Sequence, residues 1–198
     1  MFIESLQKIN LAPFEIQTKP FHYFVSQEIF DNQISVEILS WFETAAPWTL
    51  IETDFYEQYE FDFLNVELPA NLLFLGEKAF LNNLIRETEE IFETKLKGHI
   101  DITAHKLLSG QTIRVHNDYV EGKETHRLVI QLNRGWKDEN GGFLMFFNSS
   151  DPKDLHRIIR PVHNTSVGFA IGPSSNHAVS KIHSGERYTL VFSFYESR

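Results

Sequence analysis

The sequence predicts a mainly β fold, an antiparallel sandwich or barrel supported by two helices from the N-terminal half. Three observations predict it. From residue 100 onward, short segments rich in aromatic and β-branched residues recur between turn signals such as Ser109-Gly110, Asn140-Gly141-Gly142, Gly172-Pro173 and Ser184-Gly185. Within those segments apolar residues alternate with a second, polar set, the period of a pleated strand. The first hundred residues instead carry two stretches with apolar residues at helical spacing.

Composition narrows the chemistry. The chain has 198 residues, 18 Phe and a net charge of −9. That length can bury a sizeable core as one domain, here 1–198, with 1–98 mainly helical support and 99–198 the β core. An acidic balance argues against nucleic acid, which needs clustered Lys and Arg, and suits a neutral or cationic substrate. There is no cysteine, which excludes disulfides, thiolate catalysis and Cys-bound metals and leaves any metal to His and carboxylates. The start, Met1-Phe-Ile-Glu-Ser5, lacks a signal-peptide pattern, and no apolar run reaches the ~20 residues of a membrane span. A cytoplasmic protein without a membrane partner is the expectation.

In chain order, residues 14–25 read as extended around Pro20. Ser26 then caps a helix to about Thr44, with Ile29, Phe30, Ile34, Ile38, Trp41 and Phe42 as its apolar side. A second helix runs from Glu77 to Lys97, with Gly98 placed as its left-handed stop. Between them, residues 52–63 are dense in aromatics and acids and have two readings. They are a strand or loop packing its rings on the domain, or a flap over a site. The candidate strands are 100–108, 111–116, 125–133, 142–148, 155–160, 166–172, 177–183 and 186–195.

The alternation marks a pocket. In 111–118, Thr112, Arg114, His116 and Asp118 share a side opposite Ile113 and Val115. Arg127, Val129 and Gln131 oppose Leu128, Ile130 and Leu132, and Arg187, Thr189, Val191 and Ser193 oppose Tyr188, Leu190, Phe192 and Phe194. A solvent face would mix Lys and Glu freely, whereas this one carries His, Arg, Thr and Gln, as a wet pocket wall would.

Two metal-ligand types, His116 and Asp118, lie one residue apart at the end of a strand. His177 or His183 could supply a third. Read as a hairpin turning at Ser184-Gly185, strands 177–183 and 186–195 put His183 almost against Arg187. His177 lies about five residues further from the turn, or ~16 Å along a strand at ~3.3 Å per residue, room for a diacid between metal and guanidinium. His177 is therefore preferred. Two His and one Asp form the facial triad of non-heme Fe(II) oxygenases, although zinc accepts the same ligands. The other six histidines, His22, His99, His105, His126, His156 and His163, have no second ligand at an obvious spacing.

The run His116-Asn-Asp118, Leu132-Asn-Arg-Gly-Trp136, Gly141-Gly-Phe-Leu144, His177-Ala-Val179 and Gly185-Glu-Arg187-Tyr-Thr189 resembles the Fe(II)/2-oxoglutarate dioxygenases of the prolyl-4-hydroxylase-like group over about residues 100–196. The resemblance implies a double-stranded β-helix, the cupin-like jelly roll, with the site in its mouth. It implies Fe(II) on His116, Asp118 and His177, and 2-oxoglutarate held by Arg187, with Thr189 and Gln131 as helpers. Ascorbate would be a supporting reductant. Gln131 stands where some relatives carry a Tyr. Retention of Asp118 favours hydroxylation over halogenation. The implied reaction hydroxylates an aliphatic C–H of an amino acid, peptide or small metabolite with O2, giving succinate and CO2, and no catalytic group beyond the metal ligands is required. Arg127 faces the pocket and could bind an anionic substrate group or pair with a neighbouring acid. Two alternatives are a metal- or sugar-binding jelly roll without catalysis and a cupin enzyme that uses no keto acid. The first has no need of Arg187 at this offset.

Overall fold

Among the described residues, twelve strands form two antiparallel sheets that face each other, with two helices against the outside of the larger one. The structure, a computed structural model, describes residues 9–54 and 56–197, so Met1–Ser5 lies outside the described residues. The strands are β1 (Pro13–Gln17), β2 (Tyr23–Gln27), β3 (Thr49–Glu52), β4 (Glu57–Asp62), β5 (Asp101–Leu107) and β6 (Ile113–His116). They continue with β7 (His126–Gln131), β8 (Leu144–Phe147), β9 (Leu155–Ile159), β10 (Thr165–Ala170), β11 (His177–Val179) and β12 (Arg187–Phe194). Helices α1 (Asn32–Thr44) and α2 (Lys78–Phe92) lie between β2 and β3 and between β4 and β5. The large sheet has the order β1-β2-β10-β7-β12-β5-β4-β3 and the small one β6-β11-β8-β9. This is the expected jelly roll.

The two faces of the large sheet are those the alternation predicts. Leu128, Ile130, Leu190 and Phe192 join the helices in one core, while Val129 and Val191 join Phe146 and Phe169 in a second core between the sheets. The helices depend on that first core. At 13 and 15 residues they are marginal alone, and each fully buried Phe, Leu or Ile adds about 1.5–3 kcal/mol. Ile38, Phe42 and Leu84, each no more than 1% exposed, supply that burial.

Both helix boundaries differ from expectation, for tertiary reasons. Ser26 sits in β2 with its hydroxyl donating to the Leu11 carbonyl at 2.9 Å. The cap is Asp31, whose carboxylate accepts from Gln33 N at 2.8 Å. Helix α2 stops at Phe92 with Glu93 in the left-handed region, φ 53°. Beyond it Lys97 N donates to the Tyr195 carbonyl and Leu96 bridges Glu196, so pairing with the chain end outcompetes further helix. The N-terminal half, expected to be mainly helical, also supplies four strands of the large sheet. Strand β4 pairs with β3 and β5, and Phe61 and Phe63 sit edge-on to Trp41 at 5.5 and 5.7 Å.

Candidate active site

The metal cluster is built on the small sheet. His116 on β6 and His177 on β11 are direct cross-strand partners, with ring centroids 4.3 Å apart. The β6–β11 register shifts between these residues and the Ile113–Val179 pair. Such an irregularity breaks strict alternation: Ile113 lines the cavity beside His116, whereas Thr112 and Arg114 are exposed. The expectation that Thr112 and Arg114 share the pocket face is corrected accordingly. Asp118 lies beyond the strand and adopts φ +55°, in the left-handed region. Its loop is tied down by Ser175 Oγ donating to the Asn117 carbonyl at 3.0 Å and Asn117 Nδ2 donating to the Pro173 carbonyl at 3.1 Å.

Asp118 Oδ2 lies 3.4 Å from His116 Nε2 and 3.1 Å from His177 Nε2, and the three ligand atoms fall within 4.8 Å of one another. The other ring nitrogens face carbonyls: His116 Nδ1 is 2.8 Å from Arg114 O and His177 Nδ1 is 2.7 Å from Ser175 O. A carbonyl only accepts, so both rings carry their proton on Nδ1 and offer a lone pair at Nε2. Two lone pairs and a carboxylate oxygen then converge, an arrangement that a divalent cation stabilises. The donor set fits a non-heme iron site. Burial keeps the His177 pKa below its ordinary value, against the opposing pull of Asp118, and so keeps its lone pair available. Burial alone would raise the Asp118 pKa, but His116, His177 and Arg127 outweigh it and hold the carboxyl well below the usual range. His183 is exposed on a turn beside Asn140 and takes no part.

The opposite wall belongs to the large sheet. Strands β11 and β12 are not a hairpin. A turn between consecutive strands here carries the chain from one sheet to the other, so His177 and Arg187 lie on opposing walls of one cavity of about 250 Å³. Arg187 is 4% exposed, and burial lowers its pKa to about 10, which still leaves it cationic at neutral pH. Its Nη2 donates to Gln131 Oε1 at 3.1 Å. Arg187 Nε and Gln131 Nε2 are buried donors without an acceptor among the described residues. Each such group costs about 1–3 kcal/mol, so the pair fits an anionic ligand that is not a side chain. Thr189 is 1% exposed, directly across from Gln131, and lines the cavity. Gly142 abuts this corner: a Cβ there would stand 2.7 Å from Ile182 Cδ1 and 3.0 Å from Arg187 Cδ, at φ +70°.

Arg127 has taken the second of its two expected readings. Its Nε and Nη2 donate to Glu124 at 2.9 and 2.6 Å, and its Nη1 makes a short bond to Asp118. It is committed to two carboxylates, one of them in the metal cluster, which corrects its reading as an anchor for an anionic substrate. Sequence reasoning missed Tyr56, Gln58 and Glu60 from the β4 segment and Thr103 and His105 from β5, all lining the cavity. The two-residue rhythm Gln58, Glu60 against Tyr59, Phe61 could have revealed the first wall. A larger groove of about 920 Å³, lined by Phe14, Ile158 and Val162 among others, contains none of these groups.

Residues 102–194 match the profile of the 2OG-Fe(II) oxygenase superfamily. The mouse protein named prolyl 3-hydroxylase OGFOD1 is 26% identical over 154 residues, 73% of this chain and 28% of the relative, so the chain spans just over a quarter of that protein. Among solved structures, a Pseudomonas putida prolyl-4-hydroxylase superposes with a TM-score of 0.70 at 18% identity, covering 88% of this chain and 92% of that one. A Trichoplax adhaerens prolyl hydroxylase in complex with a hypoxia inducible factor peptide gives 0.72 at 11% identity, over 88% and 83%. HygX from Streptomyces hygroscopicus, with nickel and 2-oxoglutarate bound, gives 0.61 at 12%, again over 88% and 83%. At these identities the superpositions establish the fold.

Proposed function

We propose, from the match of residues 102–194 to the 2OG-Fe(II) oxygenase superfamily, that the chain is an oxygenase of that kind and hydroxylates an aliphatic C–H bond with His116, Asp118 and His177 as the iron ligands. Arg187 receives the distal carboxylate of 2-oxoglutarate, and Gln131 and Thr189 complete that end of the site. The single observation that carries this reading is the unmet buried donor on Arg187, across one cavity from the His-Asp-His cluster, beside a second on its hydrogen-bond partner Gln131. A metal-binding jelly roll without a cosubstrate leaves those donors uncompensated.

When bound, Fe(II) and 2-oxoglutarate supply the activation of O2 that turns a C–H bond into C–OH, with succinate and CO2 as co-products. The chain's own residues bind, orient and exclude water. The Arg114 and Ser175 carbonyls fix both imidazole tautomers, and Arg127 steers the Asp118 carboxylate. Phe169, Val179 and Val191 give the cavity apolar walls that keep bulk water from the reacting centre. The substrate is an amino acid, peptide or small metabolite. A prolyl residue falls within that class and is supported by the name of the mouse relative and by the peptide bound to the Trichoplax enzyme. A cytoplasmic location and no nucleic-acid partner belong to the same reading, and the charge of −9 supports the second of these. No helix among the described residues is long and apolar enough to cross a membrane.

The test is succinate formation from 2-oxoglutarate with Fe(II) and ascorbate, alongside metal and cosubstrate binding. His116→Ala should lose metal. Arg187→Ala should keep metal but bind 2-oxoglutarate roughly 30-fold or more weakly, since truncating one partner of a buried charge pair costs about 2–5 kcal/mol. Wild-type turnover in either variant refutes the assignment.

A further inference from the structure

Strand β4 lies outside the segment that carries the metal and cosubstrate residues, yet it forms one wall of the same cavity. Its alternation sends Phe61 to the helical core, where Tyr59 meets Lys106 at 4.9 Å on the same face, while Gln58 and Glu60 line the cavity. Gln58 is 3% exposed, and its Nε2 donates to Glu60 Oε2 at 2.8 Å. A carboxylate only accepts, so this bond fixes which way the amide points. Gln58 Oε1 is therefore an acceptor, and it is buried without a partner among the described residues. Glu60 is the second acceptor on this wall.

The charge on Glu60 is also uncompensated. Its one ion-pair contact among the described residues is His105 Nε2 at 3.9 Å. Burial, aided by Arg127 and Arg187, lowers the His105 pKa to about 3, so that ring is neutral at physiological pH. The cavity's other cations are spoken for: Arg127 by Glu124 and Asp118, and Arg187 by the cosubstrate carboxylate. With a divalent metal and doubly charged 2-oxoglutarate in place, the charges of Asp118, Glu124, Arg127 and Arg187 cancel. Glu60 is left as one net negative charge beside an unmet amide oxygen.

We infer that Gln58 and Glu60 form a substrate subsite for a positively charged, hydrogen-bond-donating nitrogen, an alkylammonium or guanidinium group. Such a group supplies several donors to two adjacent acceptors and neutralises the carboxylate in the same step, the strong charge-assisted case. Tyr56 lines the same wall and offers an aromatic surface that favours a cation and its alkyl stem. A substrate with an anionic group at this point is repelled. The inference rests on the oxygenase reading and deepens it by naming a group the substrate carries, a cationic nitrogen presented by a free amine or by a side chain of a peptide.

Zn(II)-loaded protein with 2-oxoglutarate, in which no turnover occurs, is titrated with L-lysine against L-norleucine and L-arginine against L-citrulline. Each is used free and as the central residue of a capped tripeptide, with binding read by ligand-observed NMR. At least one cationic probe should bind about tenfold or more tightly than its neutral counterpart, as one charge-assisted bond would give. That preference should fall to within about twofold in Glu60→Gln, whose thermal unfolding and 2-oxoglutarate binding report whether the site is intact. The free and tripeptide arms identify the source of the nitrogen. No cationic preference in the wild type, or a preference that survives in E60Q, overturns the inference. Succinate formation by the Fe(II) enzyme is measured separately. Succinate without cationic preference sinks the subsite and leaves the oxygenase reading, and cationic preference without succinate does the reverse.

Discussion

Replacing Arg127 by methionine keeps most of the side-chain volume but removes the guanidinium that holds Glu124 and Asp118 together. All three side chains are largely shielded: Arg127 and Asp118 are 19% exposed and Glu124 is 13% exposed. Removing one partner from a buried ion pair costs about 3–5 kcal/mol, because the surviving charges stay desolvated. Partial solvent access puts R127M at the lower end, about 3 kcal/mol, or roughly 6–12 °C in melting temperature for a chain of this size. A divalent ion at the His116–Asp118–His177 cluster compensates Asp118 but not Glu124. Saturating Zn(II) should therefore stabilise R127M more than wild type while leaving a residual deficit. Glu124→Gln, which leaves the Arg127–Asp118 bond in place, should cost only about 1 kcal/mol. Urea denaturation in EDTA and in Zn(II) measures all of these. A loss below about 1 kcal/mol for R127M in EDTA would place the triad among solvent-screened surface pairs, and the account of Arg127 as the group that positions Asp118 would fail.

Two further outcomes follow from the same geometry. Gly142→Ala forces a Cβ toward Ile182 and Arg187 at a positive φ, so its first effect should be on cosubstrate binding: KM for 2-oxoglutarate rises about tenfold or more while metal affinity holds, and unchanged KM would show that Arg187 is not held by this corner. Stability should fall in acid, because burial lowers the pKa of His105 to about 3 and of His126 to about 4 from an ordinary 6.5. The unfolded chain then takes up protons first as pH drops below about 6.5, so each ring costs about 1.4 kcal/mol per pH unit until its folded pKa is approached, and neither contributes above pH 7. Urea titrations of His105→Gln between pH 6.5 and 5 should show a slope shallower by that amount, and an unchanged slope would show that His105 protonates freely in the folded state.

Much of the β core was legible because each strand pairs a core face with a chemically distinct one. The rhythm of Leu128, Ile130, Tyr188, Leu190 and Phe192 against Arg127, Gln131, Arg187 and Thr189 is reproduced by the two faces of the large sheet. How local pieces meet is not encoded locally. A Ser-Gly turn between two strand patterns looks the same whether the chain folds back within a sheet or crosses to another, so only the sheet order shows that His177 and Arg187 face each other across a cavity. Alternation by twos cannot reveal the register shift that brings Ile113 into line with His116. Ser26 and Asp31 both satisfy the chemistry of a helix cap, and only the long-range bond from Ser26 to Leu11 decides between them. The left-handed stop at Glu93 is likewise set by pairing with the end of the chain, which no local signal near Gly98 encodes.

The division of labour between the walls explains why the reaction class is easier to read than the substrate. The metal cluster and Arg187 lie within residues 102–194: His177 and Arg187 are on β11 and β12, each paired on both sides, and His116 is on β6, which pairs with β11. Gln58 and Glu60 lie outside that segment, on a strand joined to β5 by main-chain bonds and capped only by the short edge strand β3. Main-chain pairing is indifferent to which side chains face the cavity, so this wall can change its chemistry without disturbing the iron or cosubstrate end. A fold built this way keeps its oxidative machinery in the matched core and its substrate choice in the N-terminal hairpin, where a family motif carries no information and only the unmet acceptors of the wall itself show what it is shaped to receive.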